Sequence, residues 1–445
     1  MKILNRLIKD ISGYAGSGLL TVCCLAILAT GCSREEFMPP AEGEQVPYKD
    51  TVHITVKEAL AQSPAKLFYQ AWQRSHMDTI LAAVTDPKSG CTILAVSDEA
   101  LLAAGYTASK IQGMDPKDLD SLLMFYSLRG RFDAPALTNR ADNLIALSLL
   151  MRPGLRGMPD PDTRNPYAKW IYYFKQHLQV MNGKTYVNGR VTGSGVSIPA
   201  KDGYVWLLDK MVPKPDKTLL QVLEADSRFT ILLELLRQRD ALYNQIFEEG
   251  AGYSPNVNFS QFYGWALKLN QYTGEEDDIN LLFTTIFLPT NDAFKAAGFN
   301  TVEDLMAFNE RRGLPRYEDW SMKGRFATDS LLSFHTNWGI LPKESAGDYP
   351  RSGSYPVFYS NMFPGNAVSR LIFLASFKDP NGTDYVDDSY YMPLEFHQDA
   401  SGKTQVKVKG SEAPAATVTE ADIPTLMGPL HAVDRLLIPK GFKLD

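Results

Sequence analysis

Histidines, cysteines and clustered carboxylates are the side chains that could do chemistry in this chain. Few of them stand at a useful spacing. The six histidines are His53, His76, His177, His335, His397 and His431. None falls in an H-x-H or H-E-x-x-H pattern or beside a cysteine, so a zinc site has no support in the sequence. The segment Asp379-Pro380-Asn381-Gly382-Thr383-Asp384 begins like a calcium loop. It then fails, because Asp384 stands where glycine is needed and Tyr390 where glutamate should close the cage. Asn381-Gly382 reads better as the turn of a hairpin. Glu275-Glu276-Asp277-Asp278 reads as a solvated loop. Beyond the first 31 residues there is no G-x-S-x-G elbow, Walker loop or G-x-G-x-x-G. Two carboxylates far apart in sequence could converge as a glycosidase pair, but no motif points to one. The expectation is of no catalytic residue, no metal and no cofactor.

One cysteine has chemistry of another kind. Lys2, Arg6 and Lys9 precede an apolar run from Leu19 to Ala29, followed by Thr30-Gly31-Cys32. A basic start, a short apolar run and small residues describe a secretory signal. The run is too short to span a bilayer, which takes about 20 residues. Leu28-Ala29-Thr30-Gly31-Cys32 resembles a bacterial lipobox, whose cysteine is lipidated and becomes the first residue of the mature chain. The pattern usually has leucine where Ala29 stands here. The acidic Glu35-Glu36 just beyond resembles the signal that sends some lipoproteins to the outer face of the outer membrane. The expected location is therefore lipid-anchored, outer-membrane and surface-exposed. Of the four cysteines, Cys23 and Cys24 leave with the signal and Cys32 takes the lipid. Cys91 alone remains, so no internal disulfide forms. It opens the apolar run Cys91-Thr92-Ile93-Leu94-Ala95-Val96, where burial would leave it inert.

The elements that position these residues come in two copies. Gly203-Tyr204-Val205-Trp206-Leu207-Leu208-Asp209-Lys210 and Gly428-Pro429-Leu430-His431-Ala432-Val433-Asp434-Arg435 share one spacing from glycine to aspartate. Upstream, Thr92-Ile93-Leu94-Ala95-Val96-Ser97-Asp98-Glu99-Ala100-Leu101 matches Thr285-Ile286-Phe287-Leu288-Pro289-Thr290-Asn291-Asp292-Ala293-Phe294. In each, an apolar strand runs into a residue that caps a helix, and the helix stops at Gly105 or Gly298. A third pair sets Leu122-Leu123-Met124-Phe125-Tyr126 against Leu331-Leu332-Ser333-Phe334-His335. A fourth sets Thr55-Val56-Lys57-Glu58 against Thr218-Leu219-Leu220-Gln221.

These four blocks, in this order, resemble the fasciclin (FAS1) domain family. Its first signature box is similar to residues 285–294, its central Tyr-His box to Phe334-His335, and its final box to 428–439 and 203–213. The first copy departs from the pattern at Val96, in place of the box proline, and at Phe125-Tyr126. The resemblance implies an α+β fold of two tandem FAS1 domains, each a compact β-sandwich or wedge with flanking helices. Together with the signal and lipobox readings, it divides the chain into a lipoprotein signal peptide (1–31), a lipidated Pro/Gly/Glu-rich tether (32–50), a diverged first domain (51–213) and a second domain (216–441). It also implies a non-enzymatic adhesion role, and a binding part for Phe334-His335 and for the Asp-Ile pair at Asp422-Ile423. The residue types themselves favour a structural reading of His335, which follows an apolar face. Asp209 and Asp434 likewise read as turn residues that satisfy local backbone donors.

Relative to the first copy, the second carries inserts near 239–280 and 310–328. They are rich in aromatics, among them Tyr243, Tyr253, Tyr263, Trp265, Tyr317 and Trp320. Such residues on loops can stack on sugar rings or fill partner pockets. They can equally pack the insert onto its own domain. The first insert is too long for a bare loop and should hold helix. Trp170-Ile171-Tyr172-Tyr173-Phe174 reads as sheet core paired with the strand at Tyr186-Val187.

Composition sets the outer limits. The chain has 445 residues, 44% hydrophobic and 22% charged, which excludes wholesale disorder. A net charge of −6 argues against a nucleic-acid binder. The expected partner is a host or bacterial surface protein or matrix. The alternative is a polysaccharide, captured beside an outer-membrane uptake system by Trp265 and Trp320.

Overall fold

Thr55 and Thr218 open the two copies in the same way. Each threonine side chain accepts the amide of the third helical residue, and Glu58 or Gln221 reaches back to the threonine amide. These capping boxes fix the helices Val56–Gln62 and Leu219–Ala225. The computed structural model describes residues 52–445 except 85–88, 139, 158–170, 255–257, 266–269, 272–278, 282–283, 337, 342–356, 367 and 379–384. The signal segment, Cys32, the tether, Trp170, Glu275–Asp278 and the Asn381-Gly382 turn lie outside the described residues. Val52–Asp445 forms one compact unit of mixed helix and sheet, an α+β architecture.

The first copy supplies β1 (Cys91–Val96), β2 (Ser127–Arg129), β3 (Leu144–Gly157), β4 (Ile171–Met181), β5 (Lys184–Val187), β6 (Arg190–Ser194), β7 (Ser197–Ala200) and β8 (Gly203–Leu208). They lie in the order β6-β5-β4-β3-β2-β1-β8-β7. Two short strands from the second copy extend this sheet, β9 (Asn270–Gln271) and β10 (Ile279–Leu281). β10 runs parallel to the far end of β3, with Ile279 opposite Leu155. The first insert therefore reaches across to the other copy's sheet.

The second copy continues with β11 (Ile286–Pro289), the hairpin β12 (Arg316–Glu318) and β13 (Ser321–Lys323), and the hairpin β14 (Ile372–Lys378) and β15 (Tyr385–Tyr391). It ends with β16 (Leu394–Gln398), β17 (Thr404–Val408), β18 (Ala416–Thr425) and β19 (Gly428–Val433), which join β11 in the order β11-β19-β18-β17-β16. Lys378 lies opposite Tyr385, so the hairpin expected on either side of Asn381-Gly382 is present.

Apart from β10 on β3, the described strands of each copy's sheet contain one parallel pair, and the rest pair antiparallel. β1 pairs with β8, Cys91 opposite Gly203, and β11 pairs with β19, Ile286 opposite Leu430. A parallel pair needs a long crossover, and here most of each copy serves as that crossover. The repeated glycine follows from the close approach of these strands. A Cβ on Gly203 would stand 1.8 Å from the Cys91 carbonyl oxygen, and one on Gly428 would stand 2.1 Å from that of Thr284. After the first strand, Ser97 and Thr290 cap the helices Asp98–Ala103 and Asn291–Ala296, as their sequence pattern requires.

One buried apolar cluster runs through both copies, from Phe68, Trp72 and Trp206 to Leu232, Phe294 and Leu430. A second cluster belongs to the second copy and is aromatic, with Phe287, Trp338, Phe358, Phe363 and Phe396. Phe363 and Phe396 stack at 4.7 Å between centroids. Tyr172 and Phe174 are buried on β4, which pairs with β5 through Leu178 opposite Val187. Cys91 is buried, and burial pushes its thiol up to about 12, so it stays protonated and unreactive. Among the described residues, no helix is long and apolar enough to cross a membrane.

Candidate interaction site

In the second copy's boxes, the side chains of His335, His431 and Asp434 are committed to backbone partners. His335 has no solvent exposure. Its Nδ1–H donates to the Phe287 carbonyl at 2.7 Å, and its Nε2 accepts the Leu437 amide at 2.9 Å. Burial holds the imidazole neutral, at about 4. His431 is also fully buried; its Nδ1 accepts the Asp422 amide at 3.3 Å, and burial lowers its pKa. The Asp434 carboxylate accepts the Thr417 amide at 2.7 Å, the local satisfaction its sequence position suggests. Phe334 is half-buried against the aromatic cluster. A binding part for Phe334-His335 is therefore corrected in its second half: His335 is sealed in, with both ring nitrogens in use.

Asp422-Ile423 receives the same correction for a different reason. Asp422 sits in β18 at φ +57° and is 5% exposed. Its Oδ1 accepts the Ser360 amide at 2.9 Å, and Ser360 Oγ donates to Oδ2. Its carbonyl accepts from Arg190 of the first copy at 3.1 Å. The pair thus lies at the seam between the copies, and a third protein cannot reach the carboxylate. Ile423 is half-buried against the shared apolar cluster. The seam continues with buried amides. Asn361 Nδ2 donates to Asn143 Oδ1 at 2.7 Å and to Gln179 Oε1 at 2.8 Å. The His177 ring lies 4.8 Å from that of Tyr359.

The inserts divide into an inward part and an outward part. The first insert holds helix, as its length implies: the helix Thr230–Ala251 runs on into it. Ile231, Leu232, Leu235, Leu236, Arg239 and Tyr243 fall on the buried face of this helix at helical spacing. Arg239 forms an ion pair with Asp329, and neither side chain has any exposure. Tyr243 donates to Asp329 Oδ2 at 2.7 Å and lies 2.9 Å from the Tyr263 hydroxyl. Arg239 also donates to Ser260 Oγ at 2.9 Å, and Asp240 Oδ1 accepts the Ser260 amide at 2.6 Å. Burial raises the pKa of both Asp329 and Asp240 against the opposing effect of Arg239. Trp265 is 1% exposed, so it cannot stack on a polysaccharide.

The outward part is where the two inserts meet. The Tyr317 ring of the second insert lies where a Cβ on Gly250 would fall, 2.4 Å from that position, and 4.8 Å from the Phe247 ring. Phe247 in turn meets Tyr253, which is 59% exposed. The β12–β13 hairpin projects from this base, and Trp320 at its apex is 86% exposed. Leu314, just before the hairpin, is also exposed. Of the two tryptophans that the sequence nominates for binding, one is core and one is surface.

Two features escape a reading of the sequence. The amide seam joins Asn143, Gln179 and Asn361 from distant positions, and no spacing rule signals it. The Arg239–Asp329 pair did leave a signal, because Arg239 falls on the apolar stripe of a helix. Among the described residues, no three His, Cys, Asp or Glu side chains converge to hold an ion.

No protein-family model matches the chain, and no curated protein does. Among solved structures it is similar to a FAS1 domain pair from the insect cell adhesion molecule fasciclin I. The identity is 14%, over 84% of this chain and 97% of that one, with a TM-score of 0.26.

Proposed function

We propose that this chain is a non-enzymatic, lipid-anchored surface protein, built as two tandem FAS1 domains, that mediates adhesion or protein–protein interaction. The signal segment and Cys32 supply the anchor, residues 32–50 the tether, and the second domain the working face. Each domain is a compact sandwich or wedge with flanking helices, and the boundary falls near residues 213–216. The partner is a surface protein or matrix, and the protein stands on the outer face of the outer membrane.

One observation carries this reading. The two inserts of the second copy pack on one another and raise Tyr253, Leu314 and Trp320 into solvent from a half-buried base of Phe247 and Tyr317. Rigid elements that present exposed aromatics suit recognition. Two ionisable box residues, His335 and Asp434, are instead spent on backbone partners.

The test is a binding panel. The soluble chain from Ser33 onward is passed over immobilised matrix proteins and polysaccharides. Saturable binding to a protein that Tyr253→Ala and Leu314→Ala weaken is the expected result. Binding that ignores both substitutions removes the insert face from the reading. Protease shaving of intact cells that leaves the protein untouched removes the surface location.

A further inference from the structure

Trp320 stands in a backbone conformation that a bulky residue rarely takes. The hairpin loop has two residues, Asp319 and Trp320, between Glu318 and its partner Ser321. Both have positive φ, at +49° and +61°. That is the pattern of a type I′ turn, where asparagine and glycine are the favoured pair. A tryptophan there costs of order 1 kcal/mol in backbone strain. Among the described residues nothing offsets that cost, because Trp320 is 86% exposed and meets no other ring. The side chain is held out for something beyond the chain.

The shape of its surroundings narrows the class of partner. Trp320 is the apex of a convex hairpin. A sugar chain or small ligand needs a concavity or platform with fixed polar groups around the ring. A bilayer conforms to a convex point, and indole rings settle at the headgroup level. Charge agrees with this. Residues 310–325 carry five cationic and three anionic side chains, one of the cations, Arg312, being paired with Asp445, whereas the whole chain is at −6. Arg316 neutralises Glu318 at 2.7 Å, which leaves Asp319 as the acid beside the ring. Lys323 lies on β13 opposite Arg316, just behind the apex. A net positive flank draws the hairpin toward anionic headgroups.

We propose that the β12–β13 apex is a membrane contact, in which Trp320 enters the headgroup region of an anionic bilayer. This rests on the reading of the insert face as the working surface, and it names the partner of its outermost point. A chain held by a tether of about 20 residues stays within about 70 Å of its own membrane, so a weak contact suffices to set its orientation.

The soluble chain from Ser33 onward, which carries no lipid, is sedimented with vesicles of phosphatidylcholine and with equal parts phosphatidylcholine and phosphatidylglycerol. Binding to the mixed vesicles, weakened by salt and reduced about tenfold or more by Trp320→Ala, is expected. The other described tryptophans, Trp72, Trp206, Trp265 and Trp338, are buried. Emission quenched by brominated lipid, measured on a Trp170→Phe background, should therefore be lost with Trp320. No binding to either vesicle overturns the proposal, as does binding that Trp320→Ala leaves unchanged. Trp320-dependent binding to a protein or polysaccharide with vesicles ignored overturns it too, while leaving the insert face as the working surface. Acylation is scored apart, by palmitate labelling of wild type and Cys32→Ala. Failure there removes the anchor without altering the vesicle result.

Discussion

Tyr126 and His335 hold the same position in the two copies and perform the same task with different chemistry. His335 Nε2 accepts the Leu437 amide at 2.9 Å, and Tyr126 Oη accepts the Val212 amide at 2.9 Å. Leu437 and Val212 stand three residues beyond the repeated aspartates, Asp434 and Asp209. Each side chain thus pins the segment that leaves the last strand. Tyr126 also lies 3.1 Å from the Val212 carbonyl, and His335 donates to Phe287. The missing histidine of the first copy therefore marks a replaced clamp.

Removing either clamp should cost stability. His335→Ala leaves the Leu437 amide and the Phe287 carbonyl unpaired and opens a cavity, at about 2–4 kcal/mol. Tyr126→Phe keeps the ring and loses the hydroxyl, at about 1–3 kcal/mol. Urea unfolding followed by circular dichroism reads both. A loss below about 0.5 kcal/mol for His335→Ala, the level of an ordinary surface change, rejects the clamp.

The buried histidines make stability depend on pH. Burial holds His335 at about 4 and His177 at about 3, against an ordinary 6.5, and lowers His431 as well. The folded protein keeps these rings neutral, while the unfolded chain binds protons as pH falls below 6.5. Their contribution is complete above that pH and drains as pH falls toward the folded values. Each pH unit in this window costs about 1.4 kcal/mol per ring. The urea midpoint should therefore fall between pH 7 and pH 5. His177→Phe should make that fall shallower, and an unchanged slope refutes the assignment.

Local rules carried most of the fold into the sequence. Thr55, Ser97, Thr218 and Thr290 cap helices where the pattern places them, and Gly203 and Gly428 mark a strand contact that admits no Cβ. These are short-range or pairwise steric demands, so residue types reveal them. The site was less legible, because exposure depends on distant packing. Trp265 and Trp320 look alike in sequence, yet one is buried in the shared apolar cluster and the other stands on a two-residue turn. Asp422 is hidden by Ser360 and Arg190, and the Arg190 contact joins residues more than two hundred positions apart.

The Arg239–Asp329 pair predicts a test of how the first insert is held. Each charge is sealed with the other, so removing one leaves the other buried and unpaired. Arg239→Met or Asp329→Leu should each cost about 3–5 kcal/mol. The double variant should cost less than either, since an apolar pair of similar volume restores packing without a stranded charge. A double variant worse than both singles would show that the tyrosines and Ser260, and not the ion pair, hold the insert.

The seam between the copies offers the sharpest steric prediction. Gly189 has φ +81°, and a Cβ there would stand 2.3 Å from Asp422 Oδ2. Gly189→Ala therefore adds backbone strain to a clash with a carboxylate that Ser360 holds in place. We expect a loss of about 1–3 kcal/mol. Asp422→Ala should also destabilise, because it frees the Ser360 amide at a covered position. Combined, the two should cost less than the sum of the separate losses, because removing the carboxylate removes the clash. Strict additivity in urea unfolding would mean that Gly189 and Asp422 do not touch, and the Asp-Ile pair would then be open to partners after all.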